Sequence, residues 1–307
     1  MLDFSKSRLP KRFKHYIDRI NKTFKIDLDI IVTREERRVL VEFAKCRTQE
    51  DIELLLSGMF NGNQVSSGIR YLRMAISGLN DLWETGDLDQ AEGWMRENVY
   101  TLLFDRLFLL NKHFKTMRGE CYSAVIKELH DMDPKRVDFI LRSVNDKSDY
   151  TSTEEKASNK STTIDIQKGR VLQRGMLDTW QKRLLHSSTL ASELEAITCQ
   201  WRGREMLVFG TKLIDDGKFL AYKKASLLIP SDIHHCATAS RALMVLLSIM
   251  HNTTLNFMRM SIMLNAISEL SVKKLEIEDG SCLTDTRLHT SLYLIHYIPS
   301  PIFPENN

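Results

Sequence analysis

The chain has 307 residues, 43% of them apolar, and a net charge of +3, which is ample apolar content for buried cores in one large or two ordinary domains. It contains no run of about 20 apolar residues, so no transmembrane segment is expected, and the opening Met-Leu-Asp-Phe-Ser-Lys lacks the apolar core of a secretory signal. Its five cysteines, Cys46, Cys121, Cys199, Cys236 and Cys282, are odd in number and scattered, which fits a reducing compartment and an intracellular location in cytoplasm or nucleus.

The first 25 residues set eight Lys and Arg against Asp3 and Asp18, a net of +6 on a body that is slightly acidic. Leu9, Phe13, Tyr16, Ile17, Ile20 and Phe24 recur at helical spacing, and Lys11, Arg12, Lys14, Arg19 and Lys22 lie outside that stripe. Ser7 is placed to cap the helix and Pro10 falls in its first turn, so a basic amphipathic helix is predicted over 8–25 within an arm spanning 1–26. Three partners suit it: its own domain, phosphates, or an anionic membrane surface, on which a single such helix anchors weakly.

Residues 27–144 read as a helical bundle. Thr33 with Glu36, and Thr48 with Asp51, form capping-box patterns ahead of Val39, Leu40 and Phe43 and of Ile52, Leu55 and Leu56. A break at Asn61-Gly62-Asn63 precedes a helix carrying Ile69, Leu72 and Ile76, and a long helical stretch follows from Asp87 towards Phe114. Asp133-Pro134 predicts a last helix with Val137, Ile140 and Leu141. Residues 145–163 contain no large aliphatic side chain, so a polar linker or exposed loop is expected over 145–167.

The remainder, 168–307, reads as an α+β lobe. Helical patterns run over 168–186 and 190–200. Two strand-like runs, 205–214 and 218–229, flank Asp215-Asp216-Gly217, and the Asp-Gly pair predicts a hairpin. After Pro230, Ser231 begins a long helix to about Leu270, and 286–298 is a candidate third strand. The expected fold is therefore mainly α, an N-terminal helical bundle joined to an α+β lobe with a β-hairpin and a long helix.

No catalytic constellation stands out, and no cofactor or metal is expected. His234, His235 and Cys236 are adjacent, but neighbours on a helix point about 100° apart and rarely chelate one ion. Asp215 and Asp216 are explained by their turn. Asp131 and Asp133 near Lys135 place two carboxylates by a lysine, as metal-dependent nucleases require, yet a helix cap explains Asp133 equally well. Phosphate-cradling Gly-Lys-Ser/Thr loops and Gly-x-Ser-x-Gly elbows are missing.

Basic residues beside aromatic ones are the better lead. Arg34, Arg37 and Arg38 share a helix start; Arg70 and Arg73 flank Tyr71; Arg202 and Arg204 follow Trp201; Lys223 and Lys224 follow Tyr222. Guanidinium forks suit phosphates and the rings suit stacked bases. The expected function is non-enzymatic binding of single-stranded RNA, of nucleocapsid or nucleoprotein type, with self-association. The alternative is a helical interaction module using residues 8–25 against a membrane or a partner-protein groove: an adaptor, a matrix-like protein or a subunit of a larger polymerase assembly.

Overall fold

The computed structural model describes residues 2–3, 28, 30–59, 65–86, 88–125, 136–158, 163–215 and 217–278. The predicted helix over 8–25, with Lys11, Arg12, Lys14, Arg19 and Lys22, lies outside them, as do Asp131, Asp133 and the candidate strand over 286–298.

The N-terminal helices begin where local chemistry predicts. α1 (Arg34–Lys45) opens on a capping box: Thr33 Oγ1 accepts the Glu36 N–H at 3.1 Å, and the Glu36 carboxylate accepts the Thr33 N–H at 2.7 Å. α2 (Gln49–Gly58) repeats this with Thr48 and Asp51. Each box satisfies two amide donors that a helix start leaves without an intrahelical acceptor. α3 (Ser67–Glu84), capped by Ser66, buries Ile69, Leu72, Ala75, Ile76 and Leu79, a single apolar face at helical spacing. The next helix, α4, is α-helical over Glu92–Met95, π-helical over Arg96–Asp105 and α-helical again over Arg106–Leu109.

The chain then builds a sheet. β1 (Leu2–Asp3), β2 (Phe114–Tyr122), β3 (Arg136–Ser143), β4 (Asp149–Lys156), β5 (Glu195–Arg202), β6 (Glu205–Asp215) and β7 (Lys218–Leu228) form seven strands in the order β1-β7-β6-β5-β4-β3-β2. β2–β3–β4 and β5–β6–β7 are antiparallel meanders lying side by side, joined where β4 and β5 pair in parallel from Thr151↔Ile197 to Lys156↔Arg202. A parallel pair needs a crossover, here α5 (Thr163–Arg183) and α6 (Ser188–Ser192). The second meander leads through the short 3₁₀ turn Ile233–His235 into α7 (Cys236–Glu278).

Helices cover both faces of the sheet. On one, α5 packs so that the Gln173 amide donates to the Phe209 carbonyl at 2.8 Å, while Thr211 Oγ1 donates to Gln173 Oε1 at 2.8 Å. On the other, Tyr100 of α4 stacks on Trp201 with ring centroids 4.7 Å apart, and α7 runs back against α1, where Ser240 Oγ donates to the Leu40 carbonyl at 2.7 Å. One continuous core links Leu40 and Phe43 to Phe104, Phe139, Trp201, Leu243 and Leu247. The segment Ile233–Ser271 is long and apolar enough to cross a membrane by length and composition, but 56% of its most apolar window is buried in this protein.

The mainly helical fold predicted from the sequence is overturned: a seven-stranded mixed sheet forms a major part of the core, giving an α+β architecture. β2 lies inside the segment 27–144 read as a helical bundle, and three further misreadings complete the difference. The segment predicted as a linker holds β4, a central strand whose residues from Asp149 to Glu155 are all buried. It has no aliphatic stripe because several of its polar side chains are buried against partners instead: Thr151 Oγ1 donates to the Ile197 carbonyl at 2.8 Å, Glu154 pairs with Lys168 at 2.7 Å, and Asp149 pairs with Arg142 at 2.7 Å. The helix predicted after Pro134 is β3, whose Phe139 and Leu141 join the main core while Val137 and Ile140 pack with Leu172 of α5. A strand covered on both faces shows no alternation, so the spacing of Val137, Ile140 and Leu141 mimics a helix. The helix predicted over 190–200 stops at Ser192, and Glu195–Arg202 is β5, again buried on both faces.

Candidate functional site

α3 and α4 meet at Gly78. A Cβ there would lie 2.5 Å from both methyl carbons of Leu102, so a side chain at this position would require Leu102 to move. The buried Tyr71 braces the same pair, its hydroxyl donating to the Leu103 carbonyl at 2.9 Å.

Beside this contact lies a groove of about 630 Å³. Arg70, Arg73, Met74, Ser77, Gly78 and Asp81 of α3 line it, as do Arg106 of α4, Leu110 just beyond, and Met59 and Val65. On α3 these positions follow helical spacing and form a stripe beside the buried one. Arg106 is the first residue after the π-helical segment. Each π turn holds more residues than an α turn, so the segment's length sets the direction in which Arg106 points relative to Arg96. Arg70, Arg73 and Arg106 are all exposed, and among the described residues lining the groove Asp81 is the acidic one. A cleft lined mainly by one sign of charge concentrates its field on an anion.

At the other end of the π segment, charge is handled differently. Arg96 Nε donates to Glu155 at 2.7 Å and Arg96 Nη2 to Asp138 at 3.0 Å; Arg118 bridges Glu155 and Asp105. The Glu155 side chain is fully buried, and burial pushes its carboxyl pKa up despite the two arginines. Burial also opposes the charge on Arg118, yet its carboxylate partners more than compensate and hold its pKa above the usual guanidinium value. On the α5 face, burial lifts Glu154 to about 7, with Lys168 only partly offsetting the rise. These groups satisfy one another and hold the sheet to its covering helices.

The sequence-predicted basic residues separate in the same way. The groove brings together Arg70 and Arg73 and adds Arg106, which sequence reasoning missed. The signal for the second wall was Gly78, a helix-interior glycine whose use is close approach. The other predicted residues lie elsewhere. Arg204 pairs with Asp89 at 3.1 Å and Arg202 with Glu205 at 2.7 Å. Lys224, its side chain 2% exposed, pairs with Glu195 at 2.7 Å, and Tyr222 donates to the same carboxylate. Lys223 is exposed on β7, and Arg34, Arg37 and Arg38 are exposed on α1. Tyr71, Trp201 and Tyr222, the rings expected to stack bases, are each buried to within 1% of full coverage.

His234, His235 and Cys236 act as a helix start. Asp232 accepts the His234 N–H at 3.0 Å and contacts His235 Nδ1 at 2.8 Å, while the buried Cys236 thiol donates to the Ile233 carbonyl at 3.0 Å. Among the described residues no group of three or more His, Cys, Asp or Glu is placed to hold a metal ion. Comparison with known proteins returns no matching family model, no matching curated protein and no matching solved structure.

Proposed function

We propose that the protein is a non-enzymatic RNA-binding protein that grips phosphate through the groove between α3 and α4. The observation carrying this reading is the convergence of Arg70 and Arg106, with Arg73 beside them, on one cleft of about 630 Å³. Guanidinium groups present planar pairs of donors that match phosphate oxygens, and they keep their charge at any physiological pH. Burial of Tyr71, Trp201 and Tyr222 removes those rings as stacking platforms, so recognition through this groove runs through phosphates and tolerates base sequence. The basic N-terminal residues add a long-range attraction for the same kind of ligand.

The test is fluorescence anisotropy of a labelled single-stranded oligouridylate, titrated with the full chain over a range of salt concentrations. Three phosphate contacts predict a log–log salt slope of about −2 from this groove. The double change Arg70→Glu/Arg73→Glu should weaken binding by at least about tenfold and flatten the slope. No binding at low salt, or binding unaffected by the double change, would remove the groove from consideration.

A further inference from the structure

Resting on that reading, we infer that the basic face of α1, with Arg241 of α7 beside it, is a second contact for RNA phosphates, so that a strand is held at the groove and again on this face. α1 turns Glu36, Val39, Leu40 and Phe43 into the core. At about 100° per residue the opposite ridge carries Arg34 and Arg38, with Arg37 on one flank. All three are exposed. α7 lies along α1, with Ser240 Oγ donating to the Leu40 carbonyl, and the next residue, Arg241, is exposed as well.

The acids of α1 are committed elsewhere. The Glu36 carboxylate accepts the Thr33 N–H at 2.7 Å and meets His251 Nε2 at 3.2 Å. It lies so close to Gly68 of α3 that a Cβ there would fall 1.7 Å from Glu36 Oε1. Glu42 pairs with Lys45 at 2.7 Å, and Glu35 is on the flank away from Arg37. Exposed cations elsewhere, Arg202 and Lys218, pair with acids three residues away. Among the described residues, Arg34, Arg37, Arg38 and Arg241 form no such ion pair. Folding gains little from them: Arg34 is the first residue of α1, where positive charge opposes the helix macrodipole. Their arrangement suits a strand. Arg34 and Arg38 stand one turn apart in a row along the helix, and a nucleic-acid backbone likewise spaces its charges along its length. A protein partner would call for an apolar centre, yet on α1 Val41 is the one large apolar side chain left exposed.

The experiment uses the full chain and the labelled oligouridylate, with polyglutamate as a probe for acidic polypeptides. Arg34→Glu/Arg38→Glu puts acid near the end of the helix that favours it, so the melting temperature should be no lower than that of the unaltered protein. RNA affinity at low salt should fall at least about fivefold, and the log–log salt slope should flatten by about 1.4, the share of two phosphates on a single strand. Arg241→Gln, on the neighbouring helix, should flatten the slope by about 0.7. Combined with Arg70→Glu/Arg73→Glu, the losses should multiply, as for separate sites. RNA binding unchanged by Arg34→Glu/Arg38→Glu but weakened by Arg70→Glu/Arg73→Glu would overturn this inference and leave the groove reading intact. The opposite pattern would remove the groove and keep the α1 face. Polyglutamate bound by the unaltered protein and lost in Arg34→Glu/Arg38→Glu, with RNA affinity unmoved, would assign the face to an acidic protein and overturn the inference.

Discussion

Arg96 and Arg106 stand at either end of the π-helical segment of α4 and meet opposite surroundings. Arg96 turns towards the sheet, where Glu155 and Asp138 take its donors and Glu92 lies nearby. Arg106 lines a groove that Arg70 and Arg73 also line. The residue type is the same, so identity does not separate the two positions; depth of burial does. In the network, carboxylates outnumber guanidinium groups and burial makes each partner indispensable. In the groove, Arg70, Arg73 and Arg106 keep exposed side chains, and exposed charges contribute little to folding.

The largest test of this contrast is Glu155→Ala. It strands Arg96 and Arg118 against a sheet without their shared buried partner, and loss of one member of a buried ion pair typically costs about 3–5 kcal/mol. Urea unfolding should show a midpoint shift of that size; a loss below about 1 kcal/mol would mean that the arginines rehydrate freely and the network is dispensable.

A second test uses pH. Glu154 has its carboxyl raised to about 7 in the folded protein, from an ordinary value of 4.5. The folded state therefore holds this proton more tightly than the unfolded chain. The stabilisation that follows is complete below the unfolded value and is lost as pH rises through about 7. Glu154→Gln should remove this dependence and be the more stable protein at pH 8, by on the order of 3 kcal/mol at most. Parallel stability curves for the two proteins between pH 5 and 8 would show that Glu154 does not titrate there.

The smallest effect on folding belongs to the groove. Arg70→Glu/Arg73→Glu should change stability by less than about 0.5 kcal/mol, as surface changes usually do, while its RNA affinity falls. A large destabilisation would place these arginines with the network and not with a binding surface.

What the sequence disclosed follows the range of the interactions. Thr33 with Glu36 and Thr48 with Asp51 were legible because a capping box is complete within four residues. The β6–β7 hairpin was legible because its turn carries Gly217 at φ 65°, a conformation glycine adopts freely. β4 was not, because its stabilising partners, Arg96, Arg118 and Lys168, come from other elements, and no periodicity within the strand announces them. The groove was half legible. Arg70 and Arg73 lie on one helix and declare themselves by spacing, whereas Arg106 joins them through contacts between α3 and α4, at Gly78–Leu102 and Tyr71–Leu103.

The parallel junction between β4 and β5 also bears on how the chain reaches this state. Each meander zips up between strands that are neighbours in sequence, but the two halves join only after α5 and α6 have carried the chain across. Non-local pairing of this kind is slow, because loop closure comes before its reward. While it waits, the first meander presents β4 as an open edge, a template for pairing with the wrong chain. That edge carries Glu154, Glu155 and Lys156. Charges along a strand edge disfavour pairing with another chain, so the polar composition that hides β4 from a hydrophobicity reading is also one that makes its edge a poor template for aggregation before β5 covers it.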